Sequence, residues 1–102
     1  MEQVQCKKLL EAAANAKEAR VFLTAHVKKR MRERGVTLTQ IKRVLANGII
    51  TEGPYQEASG NWKVNINALD AGQDITVVVA LTEDSEGASV VIVTLWDGNK
   101  GW

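Results

Sequence analysis

Two hydrophobic periods divide the chain. Up to residue 48 the apolar positions recur every three or four residues, the repeat of a helix with one buried face; from Ile49 onward they alternate every two, the repeat of a strand. Leu9, Leu10, Ala13 and Ala14 define a first helix over residues 3–17. Val21–Leu23 is a short extended link or edge strand. Thr24 is placed as the N-cap of a second helix running to Arg34, which Gly35 ends in the left-handed conformation that glycine adopts without strain. Thr37 and Gln40 have capping-box spacing, so a third helix starts near Leu38. Its stripe is Leu38, Ile41, Val44 and Leu45, and Asn47-Gly48 stops it.

Four strands are predicted beyond it: Ile49–Glu52, Trp62–Leu69, Ile75–Leu81 and Val90–Trp96. The links Gly53-Pro54, Asp70-Ala71-Gly72 and Glu83–Gly87 are short, which favours antiparallel neighbours. In the strand from Trp62, apolar Trp62, Val64 and Ile66 alternate with Lys63, Asn65 and Asn67, so one sheet face packs on helices and the other stays partly open. The last two strands are apolar on both faces and belong in the middle of the sheet. The expected fold is α+β: a single domain over residues 1–102, with two or three helices followed by a four-stranded, mainly antiparallel sheet.

Composition adds little except through charge. With 45% hydrophobic and 25% charged residues the chain has the balance of a folded domain. Its apolar runs are too short for a bilayer span, which needs roughly 20 residues, and residues 1–20 lack the apolar core of a secretion signal. Cys6 is the one cysteine, which allows no internal disulfide and no metal-ligand spacing. A cytoplasmic protein without metal or cofactor, and with no membrane partner, is expected. The net charge of +1 hides an asymmetry: residues 1–50 hold 11 Lys/Arg against 4 Asp/Glu, and residues 51–102 hold 2 against 8. Because fields are screened over about 8 Å at physiological salt, a basic helical half attracts phosphate or an acidic partner despite the neutral total.

The densest chemistry lies in the second helix, Thr24-Ala-His-Val-Lys-Lys-Arg-Met-Arg-Glu-Arg-Gly35. His26, Arg30 and Arg34 are spaced i, i+4, i+8 and stack along one face with a drift of about 40° per step. Val27 and Met31 form the neighbouring apolar stripe, so the basic column borders the core. An imidazole beside two guanidiniums suits a phosphodiester. Arg forks bind phosphate oxygens, and an imidazole can accept a proton. A basic run is equally the mark of a solvated helix face, and a lone His beside an apolar stripe the mark of a structural residue.

The order His-x-x-x-Arg-Met-x-Glu-Arg-Gly, Val-Thr, a helix ending Asn-Gly, a strand opening Ile-Ile and a last strand with Thr-x-aromatic resembles the bacterial family called domain of unknown function 4258. The residues that carry the resemblance are His26, Arg30, Met31, Glu33, Arg34, Gly35, Val36, Thr37, Asn47, Gly48, Ile49, Ile50, Thr94 and Trp96, across residues 24–96. Trp96 stands where that family commonly has Tyr, and an indole is no general acid. The family is thought to be related to RelE-like ribonuclease toxins. That implies a RelE/barnase-like fold, metal-independent RNA cleavage and a toxin–antitoxin setting with a cognate antitoxin as partner.

On that basis His26, Arg30, Arg34 and Thr94 are the candidate catalytic residues. His26 serves as acid/base, Arg30 and Arg34 hold the scissile phosphate, and Thr94 positions it from the open sheet face. Lys29, Lys63 and Trp96 are the candidate substrate-binding residues, two cations for the backbone and a ring for a base. The competing expectation is a non-catalytic module whose basic helix docks nucleic acid or an acidic protein. Trp62 is assigned to the core, Tyr55 to a turn, Trp102 to a tail or docking residue, and Cys6 to an inert role.

Overall fold

The computed structural model describes residues 1–16, 20–84 and 87–98. Helices α1 (Gln3–Asn15), α2 (Ala25–Arg34) and α3 (Leu38–Asn47) combine with strands β1 (Val21–Leu23), β2 (Ile49–Gln56), β3 (Trp62–Asp70), β4 (Gln73–Asp84) and β5 (Gly87–Asp97). The strands form one sheet in the order β1-β5-β4-β3-β2. β1 runs parallel to β5, and the other neighbours are antiparallel. The fold is therefore α+β with three helices and a five-stranded mixed sheet, where four strands were expected; the sheet is mainly antiparallel, as expected, with one parallel pairing added. The difference is β1: three residues are too few to show a period, but Val21, Phe22 and Leu23 pair in register with Val90, Val91 and Ile92.

The local signals act as their chemistry dictates. The Thr24 hydroxyl accepts from the Val27 amide at 3.1 Å, and Gly35 closes α2 at φ 66°. Thr37 and Gln40 make the reciprocal capping box of α3. Gly48 ends α3 for a different reason. Its backbone is extended, but an added Cβ would lie 2.5 Å from the Val44 carbonyl oxygen and 2.7 Å from that of Asn67. There α3 and β3 touch backbone to backbone. α1 ends at Asn15, short of the expected residue 17, which lies outside the described residues, as does Trp102.

Gly53-Pro54 lies within β2 rather than ending it, at a point where the register with β3 shifts, and Tyr55 accordingly sits on a strand. Asp70 and Gln73 close β3 onto β4 around Ala71 and Gly72, both at positive φ, the geometry of a type I′ hairpin turn.

Leu10, Ile41, Leu45, Ile66, Ile92 and Leu95 are among the fully buried side chains between the helices and one sheet face. Trp62 is half-buried against this core, and the Cys6 thiol is buried in it, which pushes its pKa up. The opposite face, bearing Lys63, Asn65, Asn67, Thr76, Thr94 and Trp96, carries no helix among the described residues.

Several cations of the basic half are consumed in joining elements. Lys7 donates to the Leu45 and Ala46 carbonyls at the end of α3, and Arg20 to Ala88 O and Ser89 Oγ of β5. Arg43 forms a two-pronged pair with Asp70, at 2.7 and 2.9 Å. That hydrogen bonding holds the Asp70 carboxyl below its ordinary range and keeps Arg43 protonated. A carboxylate with a depressed folded pKa contributes stability that is complete above its unfolded value, about 3.9, and is lost as pH falls through the folded one. Asp70→Asn is therefore expected to lower the melting temperature at pH 7 and to shrink its fall between pH 5 and 2. A pH profile identical to wild type would show that the pair contributes nothing.

Candidate functional site on the edge of the sheet

The site is built where β1 gives out. β1 covers the edge of β5 only as far as Ile92, and beyond that point α2 takes its place along the strand. A bulge in β5 re-aims the chain there: Val79 pairs with Ile92 and Val78 with Thr94, leaving Val93 as the extra residue. The buried positions of β5 accordingly change phase, from Ala88, Val90 and Ile92 to Leu95. For the same reason Ile92 and Leu95, an odd number apart, both offer carbonyls to α2. Thr24 Oγ1 donates to Ile92 O at 3.4 Å, and Arg30 donates from Nε and Nη2 to Leu95 O at 3.1 and 3.0 Å.

Val27 and Met31 bind α2 to the core, and the predicted column stands beside them. It meets β5 in three ways. His26 Nε2 lies 3.2 Å from Thr94 Oγ1 on the open face, Arg30 caps the strand edge, and Arg34 pairs with Asp97 at 3.1 Å on the helix side. At the far end of α2, Gln73 donates to the Arg34 carbonyl and accepts from the nearly buried Gln40. These contacts fix the helix at both ends and leave the imidazole exposed between them.

The four candidate catalytic residues thus come together on one seam, with the two arginines turned to structural duty. Trp96 follows two residues after Thr94 on the open face, half-buried. Lys63 is on the same face but two strands away, about 10 Å across the sheet, and in the row of Val91 rather than Thr94. Lys29 is exposed on α2 with Lys28 and Arg32; these three side chains make no hydrogen bond or ion pair to any described residue. Tyr55 donates to Glu52 at 2.9 Å, a bond that raises its pKa.

Four residues escaped the sequence reading. Asp97 has no local signal, standing 63 positions from Arg34. Lys28 and Arg32 join Lys29 as α2 cations with no hydrogen bond or ion pair to any described residue. Phe22, 51% exposed, was legible in principle, since alternation with Val21 and Leu23 turns it to the open face.

Compared with known families, residues 23–97 match the domain of unknown function DUF4258. The chain belongs to the DUF4258 family. The match takes in α2 through β5, so the whole seam between His26 and Asp97 lies inside the DUF4258 region, and α1 lies outside it. Against curated proteins and solved structures the chain has no significant match. Among the described residues, no helix is long and apolar enough to cross a membrane.

Removing the Arg30 fork leaves a strand carbonyl without its donors, and a hydrogen bond to a charged group contributes about 1.5–3 kcal/mol. Arg30→Met is expected to destabilise by about 1–2 kcal/mol in chemical denaturation, since the site is half-exposed, and Arg30→Lys by less. Wild-type stability of Arg30→Met would show that the seam does not hold the helix.

Proposed function

We propose that this DUF4258 domain is RNA-directed and of the RelE-like toxin type, an endoribonuclease working without a metal and centred on His26. The observation that carries the reading is an exposed imidazole held by Thr94 at the border of an uncovered sheet face. If Nε2–H donates to Thr94 Oγ1, the lone pair of Nδ1 is free to accept a proton; in the other tautomer the hydroxyl donates to Nε2 and Nδ1 carries hydrogen. The first arrangement makes Thr94 a positioning residue and Nδ1 the base.

In that chemistry Nδ1 takes the proton of a ribose 2′-hydroxyl, whose oxygen bonds to the adjacent phosphorus. The bond to the 5′-oxygen breaks, and that oxygen recovers a proton from the imidazolium or water. The products are a 2′,3′-cyclic phosphate and a 5′-hydroxyl. Arg30 uses two of its five donors on Leu95 and keeps Nη1 for a phosphoryl oxygen, whereas Arg34 is largely neutralised by Asp97. A RelE/barnase-like layout, an antitoxin partner and a cytoplasmic setting belong to the same proposal.

The second reading, a non-catalytic module, is favoured by Lys28, Lys29 and Arg32. Lys28 and Arg32 flank a shallow depression of about 270 Å³ floored by Met31 and Val36, suited to an acidic partner. The two readings separate on purified protein incubated with total RNA. His26→Ala is expected to remain folded and to lose at least about 100-fold in cleavage, the usual weight of a general base, while Lys28→Glu with Arg32→Glu leaves turnover at saturating RNA intact. Cleavage undiminished in His26→Ala would remove the imidazole from the mechanism; no cleavage by folded wild type, with salt-sensitive binding lost on charge reversal, would favour the module.

A further inference from the structure

The register of the open face places an aromatic ring on each side of the His26–Thr94 pair. Phe22 pairs with Val91, whose β4 partner is Ala80; Trp96 pairs with Thr76; Thr94 pairs with Val78, midway between. Along β4 each ring is thus two residues from Thr94, about 7 Å, and the two rings are about 13 Å apart along the strand. Phe22 is offset by one further strand. Both side chains alternate with core residues, Phe22 with Val21 and Leu23, Trp96 with Leu95, and so stand on the uncovered face. Half-buried Val91 floors the space between Phe22 and Thr94.

We infer that Phe22 and Trp96 are paired base-stacking subsites, receiving the nucleotides on either side of the phosphate presented to His26, with single-stranded RNA as the ligand. This rests on the RNA-directed reading above and adds to it the path of the strand. An extended nucleotide spans about the distance from Thr94 to either ring, and a flat ring accepts any base, so the pair recognises single strands with little sequence preference. A duplex, whose bases are stacked on one another, cannot offer two splayed faces.

Charge sets the direction. Across the sheet, the row of Thr94 continues through Val78 and Asn65 to Glu52, whose carboxylate accepts from Asn65 and Tyr55 and makes that rim negative. Beside β5 stands α2, on which the exposed Lys29 lies one turn from His26. The strand therefore follows β5, toward Lys29 and away from Glu52. Phe22 is a binding residue by this account and touches no reacting atom.

The test uses a fluorescently labelled single-stranded hexamer of 2′-O-methyl RNA, which lacks the attacking hydroxyl and cannot be cleaved, with binding read by polarisation. Phe22→Ala and Trp96→Ala are each expected to weaken binding at least about fivefold, and together at least about 25-fold. Phe22→Tyr and Trp96→Phe, which keep a ring, stay within about twofold, and His26→Ala still binds. Thermal melts confirm folding, and the ring-keeping variants serve if Trp96→Ala does not fold.

Equal affinity of wild type and Phe22→Ala would overturn the inference, as would failure of the wild type to bind the hexamer or a preference for duplex. Ring-dependent binding by a protein that cleaves no RNA would uphold the subsites and sink the ribonuclease reading. His26-dependent cleavage with KM unmoved by loss of either ring would do the reverse.

Discussion

The edge of β5 has to be satisfied, and the rest of the site follows from how that is done. β1 supplies three residues of parallel pairing and stops. A strand edge left beyond that point would expose unpaired carbonyls and invite another chain. α2 answers with side chains where a strand would use backbone: the Thr24 hydroxyl on Ile92, the Arg30 fork on Leu95 and Arg34 on Asp97. The Val93 bulge brings the Ile92 and Leu95 carbonyls to the same side. His26, first of the column, overhangs the edge and reaches Thr94 on the open face. One constraint therefore places the imidazole, holds it and leaves it wet.

The same constraint changes what the charge distribution means. Read along the chain, the basic first half and acidic second half suggest two surfaces for partners. In three dimensions part of that opposition is internal, since Arg34–Asp97 and Arg43–Asp70 join the halves, and Lys7, Arg20 and Arg30 are spent on backbone carbonyls. The cations that remain for a ligand are chiefly those without an internal partner, and on α2 these are Lys28, Lys29 and Arg32. A helix can thus show one basic stripe that is architectural and another that is available, and spacing alone does not separate them.

What was legible in the sequence was whatever local chemistry decides. Thr24, Gly35 and the Thr37–Gln40 box fixed the ends of α2 and α3 because caps act within four residues. The alternation from Trp62 to Asn67 likewise marked which face of β3 is buried. Val21–Leu23 could be read only as a link or an edge strand, because its pairing is set by β5, about 70 positions away. β2 was cut short because Gly53-Pro54 usually breaks a strand, whereas an edge strand tolerates the pair at an irregularity. At the candidate site the column of His26, Arg30 and Arg34 was visible, but its counterpart was not. Asp97 and the Leu95 carbonyl lie on the last strand, and the bulge that aims them, at Val93, has no signature in the apolar run Val90–Val93.

The most direct test of the central claim, that the seam between α2 and β5 presents His26 to a nucleic-acid strand on the open face, is to map amide and imidazole shifts by NMR as uncleavable single-stranded RNA is added. The account predicts that the largest changes fall on Phe22, His26, Thr94 and Trp96, with β2 and the depression between Lys28 and Val36 little affected. Changes concentrated on Lys28, Met31, Arg32 and Val36, with His26 and Thr94 still, would contradict it.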